Sequence, residues 1–134
     1  MKSLGLIFII ALSTRVVAGP FSYECTIKGV YEEGNVGQLV DSKLIPYTNS
    51  TFRIDRKSGV VLGQLVSNSN YPIRQILDPG GPDQDYKVLW MSDQIFGTNG
   101  GRHVSYLTVN EYAKSESKPF VLVLGWNVLS GICH

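Results

Sequence analysis

Two cysteines, Cys25 and Cys133, stand near opposite ends of the chain with no third thiol between them. If they are oxidised, their pairing is forced, and the two ends of the fold must approach to within about 7 Å between Cα atoms. Closing a loop of about a hundred residues removes denatured-state entropy worth roughly 4–5 kcal/mol in the chain-entropy account. That is a large share of the about 5–15 kcal/mol by which small domains are stable.

The N-terminus indicates that the thiols meet an oxidant. Met1-Lys2-Ser3 precedes an apolar run from Leu4 to Leu12, and Val16-Val17-Ala18 then supplies small residues before Gly19. This is the layout of a signal peptide over residues 1–18, cut after Ala18. The apolar run is interrupted by Ser13, Thr14 and Arg15, short of the about 20 residues that a membrane-spanning helix needs. Cys25 lies seven positions beyond Ala18, too far to be a lipoprotein's acylated cysteine, so no membrane anchor is expected after cleavage. Outside the cytosol paired thiols are the rule. The reading is therefore a periplasmic or secreted single domain over residues 19–134, with Cys25 bonded to Cys133.

Charge excludes one class of partner. The formal net charge is +1, with 12 basic and 11 acidic residues, and two of the basic ones, Lys2 and Arg15, leave with the signal peptide. The remainder are spread from Lys28 to Lys118 without a cluster, whereas nucleic-acid binding needs grouped cations to displace counterions from phosphates.

No apolar stripe of helical period runs through the chain. Short alternating runs separated by Gly, Pro, Asn and Asp predict an all-β domain. Phe52 and Ile54 alternate with Arg53 and Asp55, Lys57-Ser58-Gly59 turns, and Val60–Val66 returns as a hairpin. Further strands are expected at Tyr23–Tyr31, Gln38–Ile45, Ile73–Leu77, Tyr86–Met91, Val104–Tyr112, Phe120–Leu124 and Val128–Cys133. Phe120–Leu124 reads as central and apolar on both faces, and Pro79-Gly80-Gly81-Pro82 as a loop. Eight or nine antiparallel strands in one small domain fold as a barrel-like sheet or as a two-sheet sandwich. A bond between the first and last strands makes them neighbours, which favours the barrel.

Tyr23-x-Cys25, Phe52-x-Ile54-Asp55-Arg56-x-x-Gly59, Lys118-Pro119-Phe120-Val121 and Gly131-x-Cys133 together span most of the mature chain. In this set the chain resembles small exported proteins of Gram-negative bacteria that have no assigned function. The resemblance implies periplasmic or secreted residence and no particular activity.

Candidate chemistry is sparse. His103 and Ser105, two apart on one strand, are the nearest approach to a base and nucleophile, but nucleophilic serines usually sit on sharp turns. Glu32 with Glu33, and Asp83 with Asp85, are close in sequence, whereas hydrolytic carboxylates face one another across a cleft from different elements. Asp78 to Asp85 is oxygen-rich but lacks regular calcium-ligand spacing, and Cys25, Cys133, His103 and His134 lack zinc spacing. Gly80-Gly81 and Gly100-Gly101 precede no helix that would bind phosphate. Asn49-Ser50-Thr51 fits a glycosylation sequon, coincidental in a bacterium. No catalytic residue, metal or cofactor is assigned.

The aromatics offer more. Among seven Tyr and two Trp, Tyr23, Tyr31, Tyr86, Trp90, Tyr106 and Tyr112 are the candidate binding surface, because a tyrosine tolerates a polar tip at a cavity mouth or interface. The leading expectation is an exported non-enzymatic β module that binds an unidentified ligand or extracytoplasmic protein. The rivals are a small secreted hydrolase using His103 and an inhibitor acting through Pro79 to Pro82.

Overall fold

In the computed structural model, which describes residues 21–43, 47–63, 70–95 and 100–134, the alternating runs become nine strands. They are β1 (Ser22–Glu33), β2 (Leu39–Asp41), β3 (Thr51–Asp55), β4 (Val61–Leu62), β5 (Ile73–Gly81), β6 (Gln84–Met91), β7 (Val104–Val109), β8 (Lys118–Leu124) and β9 (Asn127–Cys133). No α-helix occurs among the described residues. The proposed signal peptide lies outside them.

All ladders are antiparallel, in the order β4-β3-β1-β9-β8-β7-β6-β5. Strands β5 to β9 form a meander of consecutive neighbours, and β9 then pairs with β1, so the first and last strands are adjacent as expected. Strand β1 is long enough to use its other edge twice: Ser22–Thr26 pairs with β3, and Tyr31–Glu33 with β2.

Cys25 and Cys133 stand directly opposite in the β1–β9 ladder and are bonded, with a Cα separation of 3.9 Å. Beside them Glu24 and His134 exchange both backbone hydrogen bonds, at 3.1 and 2.9 Å. The cysteines therefore occupy the non-hydrogen-bonded site, where facing side chains are closest. A disulfide of this kind persists in an oxidising compartment.

The single sheet curls into a half-barrel whose concave face is the core. Val88, Leu107, Leu122, Leu129 and Val30 face one another across successive strands as one buried layer. Tyr86, Val109, Phe120, Gly131 and Ile27 form the next. Gly131 is required there: a Cβ would collide with the Thr26 carbonyl oxygen and stand 2.7 Å from the Phe120 ring, which takes that space. Phe120 in turn meets Phe52 edge to face at 5.3 Å.

Strands β4 and β5 end the ladder path without pairing. Instead the β3–β4 turn bridges the seam. Trp90 Nε1 donates to the Gly59 carbonyl at 2.7 Å, and Arg56 Nη2 donates to the Pro79 carbonyl at 2.7 Å.

The structure revises several sequence expectations. Pro79-Gly80-Gly81 is strand rather than loop, because β5 pairs with β6 as far as Gly81 and Gln84, leaving only positions 82 and 83 as the turn. As an end strand of the sheet, β5 tolerates a proline. Strand β7 stops at Val109, where Asn110 turns the chain by accepting the Ala113 N–H at 2.9 Å. The second hairpin strand is only Val61–Leu62, and its expected end at 64–66 lies outside the described residues, as does position 45 of Gln38–Ile45. Strand β8 is central, but Val121 and Val123 are 42% and 37% exposed. No second layer covers the convex side among the described residues, since one curled sheet buries only its inner face.

Candidate functional site

The most elaborate polar arrangement lies at the seam. Arg56 follows β3, and Glu111 follows β7, 55 positions later. Arg56 Nη2 stands 2.7 Å from Glu111 Oε1 and 3.0 Å from Oε2. Tyr23 donates its hydroxyl to Oε1, and the Gly81 N–H reaches the same carboxylate. Gly80 makes room: its φ is +76°, and a Cβ there would strike the Glu111 carboxylate. The Arg56 guanidinium also stands 5.5 Å and 5.8 Å from the ring centres of Tyr23 and Tyr86, within cation–π range.

Burial pushes the Glu111 carboxyl up to about 7, against the opposing pull of Lys118 and of the Gly81 N–H. Arg56, in ionic contact, opposes that rise too. Burial also pushes the Tyr86 phenol up to about 12 and lowers Arg56. The Tyr86 hydroxyl has no hydrogen-bond partner. Each charged group here is matched to its neighbour and turned into the protein, so the cluster acts as a clamp across the seam.

The six aromatics singled out from sequence do not form one surface. Tyr23 and Tyr86 are buried against Arg56 of the clamp, and Trp90 is buried further along the core, bonded to the Gly59 carbonyl. Tyr31 and Tyr106 lie on the convex face, at two places in one cross-strand row that runs Tyr31, Val128, Val123, Tyr106. Tyr112 sits apart in the β7–β8 connection, 54% exposed.

His103 and Ser105 are also separated. Ser105 is fully buried between Trp90 and Leu124 in register, and its Oγ has no hydrogen-bond partner, histidine included. His103 is exposed just before β7, beside a pocket of about 290 Å³ lined by Asn70, Tyr71, Ser92 and Gln94. The Ser92 hydroxyl there donates to the Gln94 carbonyl and accepts the His103 N–H, both at 3.1 Å.

Of the paired carboxylates, Glu32 accepts from Ser42 Oγ at 3.0 Å; in the oxygen-rich segment from Asp78 to Asp85, Asp78 accepts the Gly80 N–H at 3.0 Å while Lys87 stands 3.7 Å away. Among the described residues no group of three His, Cys, Asp or Glu is placed to hold a metal.

One feature was missed in sequence. Trp126 is 80% exposed at the tip of the β8–β9 hairpin, a two-residue Gly125-Trp126 turn with φ +60° at Gly125. The pairing of Glu32 with Asn127, Leu124 with Ser105, and Val104 with Met91 brings the β1–β2 turn and the β6–β7 connection to the same end. They add Val36, 77% exposed, Ile95, 63% exposed, and the exposed Leu39. The signal was available: glycine first in a two-residue link between apolar strands specifies a tight hairpin, and a tip residue cannot be core.

No protein-family model, no curated protein and no solved structure matches the chain.

Proposed function

We propose that the chain is an exported, non-enzymatic β module, delivered to the periplasm or the medium by the peptide at 1–18, that binds a protein partner through the apolar tips around Trp126. The observation that carries this reading is the 80% exposure of Trp126 on a turn too tight to fold it away. Tryptophan exposed beside other apolar side chains is the composition of an interaction surface. The Cys25–Cys133 bond supports the compartment.

The rivals have less behind them. A hydrolase needs a nucleophile or paired acid within reach of His103, yet Ser105 faces the core and the Ser92 hydroxyl is engaged. An inhibitor acting through Pro79 to Pro82 needs a protruding loop, and most of that segment is strand.

Site-specific photocrosslinking in the native host tests the reading. A benzophenone side chain at position 126 is expected to give one discrete protein adduct, and the same group at position 57, in the β3–β4 turn, none. Equal adducts from both positions, or none from 126, would sink it. Intact-mass analysis is expected to show a chain starting at Gly19 and lighter by two hydrogens.

A further inference from the structure

We propose that a cleft on the convex face, between the start of β6 and the β7–β8 connection, is a binding site for one neutral saccharide ring. This site is separate from the Trp126 end and does not depend on the reading given there.

The cleft measures about 200 Å³ and is lined by Asp85, Thr108, Asn110, Tyr112 and the Pro119-Phe120-Val121 stretch of β8. Pockets for drug-sized ligands run to roughly 300–1,000 Å³, so this one suits a single ring. Its framework is pinned. Asn110 donates its N–H to the Pro119 carbonyl at 2.8 Å and accepts the Ala113 N–H, and Lys118 Nζ donates to the Ala113 carbonyl at 2.6 Å. The connection carrying Tyr112 is therefore held in place without a ligand.

Asp85 is the anomaly. Its Oδ1 is shielded from solvent and has no hydrogen-bond partner. Such an oxygen destabilises the fold unless something compensates, and evolution seldom leaves one without a use. The aspartate χ2 torsion is broad and roughly two-fold. A partial turn would present both oxygens to the cleft, the arrangement that accepts two neighbouring hydroxyl groups.

The remaining groups complete the chemistry. Asn110 uses its side-chain oxygen on Ala113 and so offers its amide N–H₂, while the Thr108 hydroxyl both donates and accepts. Tyr112, with more than half its surface open, and the exposed Val121 supply apolar contact for the C–H face of a sugar. Charge selects against ions. A cation would meet Lys87, which shares this face in register with Thr108 and reaches to 3.7 Å from Asp78. An anion would meet Asp85. A neutral polyhydroxylated ring avoids both conflicts.

The test is a ¹H–¹⁵N titration of the oxidised mature chain with four probes: methyl β-D-glucopyranoside, methyl β-D-galactopyranoside, methyl α-D-mannopyranoside and N-acetylglucosamine. At least one is expected to give saturable shifts at the amides of Thr108, Asn110, Tyr112 and Val121. Tyr112→Ala and Asp85→Ala are each expected to weaken that binding at least tenfold. Asp85→Ala is also expected to melt no lower than the parent chain, since it removes an oxygen without a partner, so its loss of binding is not a loss of folding. The proposal is overturned if none of the four glycosides saturates, if the shifts lie elsewhere, or if neither variant weakens them. It is equally overturned if tetramethylammonium binds the cleft more tightly than every glycoside.

Discussion

The two ends of the half-barrel invert the usual relation between side chains and water. At the seam end, Arg56, Glu111 and two tyrosine hydroxyls are turned into the protein. At the hairpin end, Trp126, Val36 and Ile95 are turned out of it. Burying polar groups helps only when they satisfy one another, and the seam cluster does so for all but the Tyr86 hydroxyl. Its effect is structural, because it joins β3 to β5 and β7 where no ladder does. Exposing large apolar groups does not help folding, and the proposed partner contact is what would account for the hairpin end. The disulfide sits at the clamped end, opposite Lys118 and beside β3.

Removing the disulfide should give the largest change. Cys25→Ser with Cys133→Ser is expected to lower unfolding stability by about 4–5 kcal/mol in a urea titration. A loss below about 1 kcal/mol would mean that the terminal strands hold together through the ladder alone, and the contrast between the ends would then rest on the clamp.

Arg56→Met tests the clamp itself. It leaves the Glu111 carboxylate without its cation, which is expected to cost about 3 kcal/mol at pH 8. Adding Glu111→Gln should recover most of that loss, because a neutral amide needs no counter-charge. The single variant should lose less at pH 5, where Glu111 can take a proton instead. Equal losses at both pH values would show that Arg56 contributes packing against Tyr23 and Tyr86 rather than charge.

Much of this was legible in sequence, and the exceptions have physical causes. Tyr86, Val88 and Trp90 share a face by simple alternation, and that face is the core. Cys25 and Cys133 predicted which strands are neighbours. Alternation also puts Tyr23 and Tyr31, eight positions apart, on the same side, yet they point to opposite faces. A bulge leaves Lys28 unpaired between Ile27 and Gly29, and the parity of β1 reverses there. Nothing local announces such a bulge. Pro79-Gly80-Gly81 carried turn signals, but an end strand escapes the rule that excludes proline from ladders. The Arg56–Glu111 pair joins residues 55 positions apart, and only the curl of the sheet creates it.

The pH profile gives a smaller effect. Burial raises Glu111 from an ordinary 4.5 to about 7, so between those values the folded chain holds a proton that the unfolded chain has released. Unfolding free energy should therefore fall as pH rises through that window and level off above it, by about 1–2 kcal/mol once solvent screening at the partly open site is included. Glu111→Gln should flatten the slope. Asp55 acts in the opposite sense and lower down: hydrogen bonds from Ser58 depress it below 3.8, so its contribution is present above that value and lost on further acidification. A flat profile in the parent chain would mean that Arg56 holds Glu111 ionised throughout.

The smallest expected effect on stability is at the other end. Trp126→Ser removes an indole that is 80% exposed and makes no core contact that the hairpin needs, since Gly125 sets the turn. Urea unfolding should change by no more than about 0.5 kcal/mol, the range of ordinary surface substitutions. A benzophenone at position 36, across the same end, is expected to give the same protein adduct in the parent chain and to lose it in Trp126→Ser. That pairing of unchanged stability with lost contact is the mirror image of Arg56→Met, which should unsettle the fold while leaving the hairpin tip intact. If Trp126→Ser instead cost several kcal/mol, the indole would be packing against its own chain, and the exposed end would lose its claim to be anything other than fold.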